Sequence, residues 1–158
     1  LRALFRFVRR PLIALPIFVV VLYTWHFAFA FQAALRNEWV HGLQHQSFLL
    51  ASMLVWWAAL EPGKARMPGE LWKAGYILAA RMMSMFLAMA FILSHQPLYS
   101  FYADRGRTHG LTPLSDQQIA GGMMLSLDIV VMMVALGFFF WRAAAESDRA
   151  ERTAAAAG

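Results

Sequence analysis

Four apolar runs dominate this chain of 158 residues and constrain its fold more than any other feature. The runs occupy residues 11–35, 41–60, 71–94 and 118–141. Each has roughly 20 residues or more, which is enough to cross about 30 Å of hydrocarbon as a helix. Helices are expected because backbone polar groups must be paired inside a bilayer. The runs leave no space for a soluble catalytic domain, so we predict one all-α membrane domain over residues 1–142 and a polar tail over 143–158.

Basic residues are concentrated at one end of these runs. With a cytoplasmic N-terminus, ten of them lie on the inner side and only Arg36, Arg105 and Arg107 lie on the outer side. Such an asymmetry in short loops orients membrane proteins. It predicts an up-down-up-down four-helix bundle with both termini, and hence the tail, in the cytoplasm. Membrane orientation also accounts for the formal charge of +5, so lipid and not nucleic acid is the expected partner.

Histidine and methionine must supply any site for a soft metal ion, because the chain has no cysteine. His41 and His45 are four residues apart at the outer end of the second run, so a helix places them on one face. His26 lies roughly 13 Å below the outer end of the first run. We predict that these three histidines converge, with Met123 or Met89 nearby, because imidazole and thioether suit copper better than calcium or magnesium.

Further polar residues lie at the same outer level. His95 closes the third run, and Asp116, Gln117 and Gln118 open the fourth. We interpret them as an outer cap or as groups that orient the histidines, although carboxylate and amide groups also cap first helical turns. Ser115, followed three residues later by Gln118, is a capping-box pattern and predicts that the fourth helix begins there.

Arg81 and Asp128 are the two formal charges deepest in the runs. Their depths differ by roughly 5 Å on a helical rise of 1.5 Å per residue, which an arginine side chain can span. Either charge alone in lipid would cost several kcal/mol. The sequence therefore predicts an intramembrane pair.

Structural roles compete with metal binding for the histidines and methionines. Intramembrane histidines commonly form hydrogen bonds between helices, and methionines fill irregular gaps in the packing. From spacing alone, the metal-binding interpretation of the histidines and this structural interpretation stand about equal.

Three blocks of sequence resemble the integral-membrane CtaG-type cytochrome c oxidase assembly factors, and their order and spacing match that family. The blocks are Trp25-His26 with His41, His45, Phe48, Leu49 and Trp56-Trp57; Pro97-Leu98-Tyr99 with Tyr102; and Asp116-Gln117-Gln118 with Gly121-Gly122-Met123.

The resemblance covers about residues 11–142. It implies maturation of a haem–copper oxidase in a bacterial inner membrane, with copper handled for the oxidase. The implied partners are oxidase subunits or another copper-handling protein. The family's characteristic positions fall on His26, His41, His45 and residues 116–118. The resemblance implies about seven spans in family members, so we expect the four runs of this chain to correspond to their C-terminal part.

Two other functions stay open at the level of sequence. The chain could be an accessory structural subunit of an oxidase, with its histidines serving only as hydrogen-bond partners. It could also be a cytochrome, with His26 and His45 holding haem in a four-helix bundle. Enzymatic catalysis is not expected, because the sequence shows neither a nucleophile with its base nor a phosphate-binding loop.

Overall fold

The computed structural model describes residues 7–61, 67, 69–103 and 110–157. Every regular element in this part of the chain is a helix, which confirms the all-α prediction. The helices are α1 (Pro11–His26), α2 (Ala28–Arg36), α3 (Glu38–Leu60), α4 (Glu70–Leu93), α5 (Ser100–Ala103) and α6 (Pro113–Ala157).

The long helices are apolar enough for insertion into a membrane. α4 and α6 each satisfy the length and hydropathy needed for a crossing, and α1 with α2 gives a third if the two count as one span. α3 falls short because Gln44, His45 and Gln46 lie in its first half. The described helices thus give two or three candidate spans, and four crossings stay a prediction.

The predicted sidedness of the membrane depends partly on residues beyond this description. Arg2, Arg6, Lys64, Arg66, Arg105 and Arg107 lie outside the described residues, as does the side chain of Tyr102. The cytoplasmic location of both termini therefore also stays a prediction.

The first apolar run is two helices and not the single straight span that its length predicts. α1 and α2 meet at Phe27, whose backbone is extended, and their axes differ by 68°. Neither glycine nor proline lies at this break. The break ends the helical bonding of α1, and the His26 carbonyl instead accepts a hydrogen bond from the Tyr99 hydroxyl at 3.0 Å. A tertiary contact thus satisfies a backbone group that a continuous helix would have paired internally.

The helices pack in two antiparallel pairs. α1 lies along α3, with Arg9 beside Glu61 at one end and Trp25 beside Ser47 towards the other. α4 lies along α6 in the most extensive contact of the described residues. Small side chains permit this close approach, as is usual between membrane helices. The buried alanines of these contacts are Ala14, Ala51, Ala58, Ala59, Ala74, Ala80, Ala88 and Ala135.

α6 begins earlier than the capping-box pattern predicts. It starts at Pro113, and the Thr112 hydroxyl accepts a hydrogen bond from the Ser115 backbone N–H at 3.1 Å. The predicted start at Ser115 is therefore wrong, because Thr112 provides the side-chain acceptor and proline is favoured at a first helical position. α6 has 45 residues, about 67 Å, so most of the predicted polar tail continues the same helix.

Candidate functional site

The break after α1, the start of α3, the end of α4 and the start of α6 lie together at one end of the bundle, here named the histidine end. Tyr99 joins the α4–α6 connection to the break through its bond to His26. Trp25 Nε1 donates to the Ser47 hydroxyl at 2.6 Å and brings α3 to the same level. Four segments that carry predicted site residues thus meet at this end.

His41 and His45 form a close pair on α3. Their Nε2 atoms are 2.8 Å apart, with one ring donating a hydrogen bond to the other. Both side chains are exposed, and the ring centroids are 4.7 Å apart. This confirms the prediction that spacing of four residues puts them on one helical face.

His26 lies at the end of α1, next to the break. Its Nδ1–H donates to the Leu22 carbonyl at 2.7 Å, one turn earlier on the same helix. The ring packs between Phe48 and Phe91, with centroid distances of 5.9 and 5.7 Å. These contacts fix the orientation of the ring.

A cavity of about 130 Å³ opens beside His26. Its walls come from the break, the end of α4, the following connection and the first turns of α6. Asp116 is exposed at this site, whereas Tyr99 and Gln117 are buried in its wall. The lining residues are His26, Phe31, Phe91, Pro97, Tyr99, Pro113, Asp116, Gln117, Ala120, Gly121 and Met124.

Gln117 and Gln118 hold the wall of this cavity together. The Gln117 side-chain oxygen accepts from the Leu98 backbone N–H at 2.7 Å. The Gln118 amide donates to the carbonyls of Ile92 and Ser94, each at 3.2 Å. Both glutamines therefore form hydrogen bonds with backbone groups at the end of α4 and in the following connection. They support the site across two helices, instead of capping their own helix.

Tyr99 closes the cavity on the side of the break. Besides its hydrogen bond to His26, its ring stacks on Phe31 with centroids 4.1 Å apart. It also contacts Phe91, at 5.9 Å between centroids. Tyr99 belongs to one of the blocks of resemblance, but nothing local in the sequence indicates its role in the site, because its partner lies 73 residues away.

The predicted convergence of three histidines is not found among the described residues. No group of three or more histidine, cysteine, aspartate or glutamate side chains there could hold one metal ion. His26 lines the cavity, while His41 and His45 are not among its lining residues. Contacts with Leu22, Phe48 and Phe91 fix the His26 ring, whereas His41 and His45 bond to each other. The alternative of a haem held between His26 and His45 stays a prediction.

The remaining candidates divide between the cavity and the surface. Met123 is 63% exposed and lies outside the cavity lining, whereas its neighbour Met124 lines the cavity. Met89 is also outside the lining, and His95 is exposed after the end of α4. Gln117, Gly121 and Met124 share one face of α6, because they are separated by four and three residues.

Arg81 and Asp128 form the predicted pair in the interior. Arg81 Nη1 lies 2.7 Å from the Asp128 carboxylate, and both side chains are nearly buried. The Arg81 guanidinium also lies over the Phe18 ring at 5.3 Å. The pair is thus a link between α4 and α6, with a contact to α1.

Comparison with known proteins gives the chain a family. Residues 1–146 match the family model of the cytochrome c oxidase caa3 assembly factors, Caa3_CtaG. The chain belongs to this family. No curated protein and no solved structure matches it. All three blocks of the sequence resemblance contribute to the cavity of this caa3 assembly factor. Two of them do so around residues 97–99 and 116–121, and the third contributes His26.

Proposed function

We propose that this caa3-type assembly factor is a non-catalytic membrane protein that handles copper as cargo for a haem–copper oxidase. Its partners in this proposal are oxidase subunits or another copper-handling protein. Membership in a cytochrome c oxidase assembly family supports the association with an oxidase. The exposed His41–His45 pair is the observation that carries the copper part.

The distance between the two Nε2 atoms of the histidine pair matches that of two nitrogens bound to one metal ion. Two nitrogens bound about 2.0 Å from one metal at a right angle are about 2.8 Å apart. The Nε2 atoms of His41 and His45 are separated by that distance. Imidazole ligands at a right angle suit the tetragonal coordination of Cu(II). Two histidines leave coordination positions open, which a partner protein can fill during transfer.

The proposed location is the outer side of a bacterial inner membrane. Four crossings with both termini in the cytoplasm place the histidine end there. The antiparallel pairing of α1 with α3 and of α4 with α6 supports this arrangement. Arg9 and Arg142, at the opposite end, then face the cytoplasm, as the positive-inside rule requires. A metal passed to or from a partner outside the cytoplasm needs its ligands at this outer end.

Copper binding by the purified protein in detergent tests the proposal. We expect His45→Ala and His41→Ala each to weaken Cu(II) binding by about tenfold or more, as followed by electron paramagnetic resonance during titration. Gln46→Ala, at the exposed position next to His45, is the matched control and should bind like the wild type. Equal binding by all four proteins would contradict the assignment of copper to this pair.

The cellular counterpart measures the copper content of the oxidase. A strain that lacks this chain should assemble an oxidase poor in copper, and His41→Ala/His45→Ala should fail to restore it. Normal copper content in the deletion strain would overturn copper handling, while leaving the family membership untouched.

A reporter fused after Arg142 gives the orientation in the same strains, since a periplasmic tail would put the histidines on the inner side.

A further inference from the structure

His26 lines the cavity and has one ring nitrogen, Nδ1, in a hydrogen bond. Because Nδ1 donates to the Leu22 carbonyl, the neutral ring carries its lone pair on Nε2. Among the hydrogen bonds of the described residues, none involves this Nε2. Phe48 and Phe91 hold the ring on both sides. The result is a fixed imidazole with an unused donor atom on the cavity wall.

A thioether lies in the wall of the same cavity. Met124 is partly buried there, on the face of α6 that also carries Gln117 and Gly121. Close packing at Gly121 determines which face of α6 points towards α4. An added Cβ at this position would come within 2.9 Å of Phe91 and 3.0 Å of the Ala88 carbonyl. This close approach of α6 to α4 directs Met124 inwards and leaves Met123 outside.

We propose that His26 and Met124 form a Cu(I) site in this cavity, separate from the exposed His41–His45 pair. The inference rests on the proposed function only in taking copper as the cargo. An imidazole nitrogen with a thioether sulfur selects Cu(I) over harder cations such as Mg²⁺ or Ca²⁺. Apolar walls, mainly aromatic and proline side chains, favour an ion of single charge, because burying a divalent ion there costs more.

The position of Asp116 completes the electrostatic argument. It is the acidic residue among those that line the cavity, and it is exposed. A carboxylate at the solvent side attracts a cation towards the opening, while the softer donors lie deeper. The cavity volume of about 130 Å³ leaves space for an ion and one small additional ligand.

Anaerobic titration of the full chain in detergent tests this site, with Cu(I) supplied from a chromophoric Cu(I) chelator. We expect Met124→Leu and His26→Gln each to lower the Cu(I) affinity by about tenfold or more. Met123→Leu is the matched control, because it changes the same side chain one position away on the exposed face. Copper X-ray absorption should show a sulfur neighbour in the wild type and Met123→Leu, and should lose it in Met124→Leu.

The outcomes separate this inference from the proposed function. Cu(I) binding that persists in His41→Ala/His45→Ala and falls in Met124→Leu supports two distinct sites. Equal Cu(I) affinity in wild type, His26→Gln and Met124→Leu overturns the cavity site and leaves the histidine pair intact. Failure of the wild type to bind Cu(I), while it still binds Cu(II), also overturns the cavity site alone. Absence of both overturns this inference and the copper part of the proposed function. Circular dichroism checks folding, and either cavity variant suffices if the other fails to fold.

Discussion

The two ends of the bundle use different chemistry to hold their helices together. At the end opposite the histidines, named the arginine end, charged side chains pair: Arg9 with Glu61 at 2.7 Å, and Glu70 with both Lys73 and Arg142 at 3.1 and 3.2 Å. At the histidine end, neutral groups donate to backbone carbonyls, as the Tyr99 hydroxyl does to His26 and the Gln118 amide to Ile92 and Ser94.

The difference explains where ligands are available. Each carboxylate of the arginine end is already paired with a cationic side chain, so these charges stabilise the bundle and offer little to a metal ion. Neutral donors at the histidine end satisfy the backbone instead, which leaves imidazole nitrogens of His26, His41 and His45 and the sulfur of Met124 as possible ligands. In the proposed function, helix stabilisation and metal binding therefore use different atoms of the histidine end. The two ends should respond differently to substitution.

Charge pairing in the interior gives the largest expected effect. Asp128→Ala leaves the Arg81 guanidinium without its carboxylate partner. Among the described side chains, the Phe18 ring then provides its remaining contact. We expect a loss of about 3–5 kcal/mol in the free energy of unfolding, measured by titration with sodium dodecyl sulfate from mixed micelles. Replacing both partners, as Arg81→Met/Asp128→Leu, should cost less than Asp128→Ala alone. A single variant as stable as the wild type would show that the pair is not a stabilising link.

This pair also shows what the sequence could predict. A rise of 1.5 Å per residue places Arg81 and Asp128 at similar depths. Because an isolated charge in an apolar helix is energetically costly, each of them is expected to have a partner. The same local arithmetic correctly placed His41 and His45 together. Both predictions depend only on helical spacing and on the energy of burial, which a single sequence specifies.

Features that depend on contacts between distant segments could not be predicted in this way. The break at Phe27 has no glycine or proline to indicate it, and its stabilising partner, Tyr99, is far along the chain. Met123 and Met124 point about 100° apart on α6, so choosing between them needs the face that contacts α4. Gly121 marks the inward face, because α6 packs closely against α4 at this glycine. The start of α6, by contrast, is indicated locally by Thr112 and Pro113, which precede the capping-box pattern.

Neutral hydrogen bonding at the histidine end gives the second largest effect. Tyr99→Phe keeps the stacking on Phe31 but removes the hydroxyl that donates to the His26 carbonyl at the break. We expect a loss of about 1–3 kcal/mol, since the partly buried His26 carbonyl at the break is left unpaired. Tyr76→Phe is the matched control: among the described residues its buried hydroxyl has no hydrogen-bond partner, so its removal should be neutral or stabilising. Equal losses in both variants would contradict the role given to the Tyr99 hydroxyl.

Surface pairing at the arginine end gives the smallest effect. Arg142 has a half-exposed side chain, while its partner Glu70 and the neighbouring Lys73 are nearly buried. After Arg142→Gln, Lys73 still neutralises Glu70, so we expect a loss of only about 0–1 kcal/mol, which decreases further in high salt. Glu70→Gln should cost more, because Lys73 then loses its buried carboxylate. Unfolding measured at low and high salt compares the two variants. If Arg142→Gln lowered the free energy of unfolding as much as Glu70→Gln at both salt concentrations, Arg142 would be the principal partner of Glu70. The arginine end would then depend on the link between α4 and α6 and not on pairing within α4.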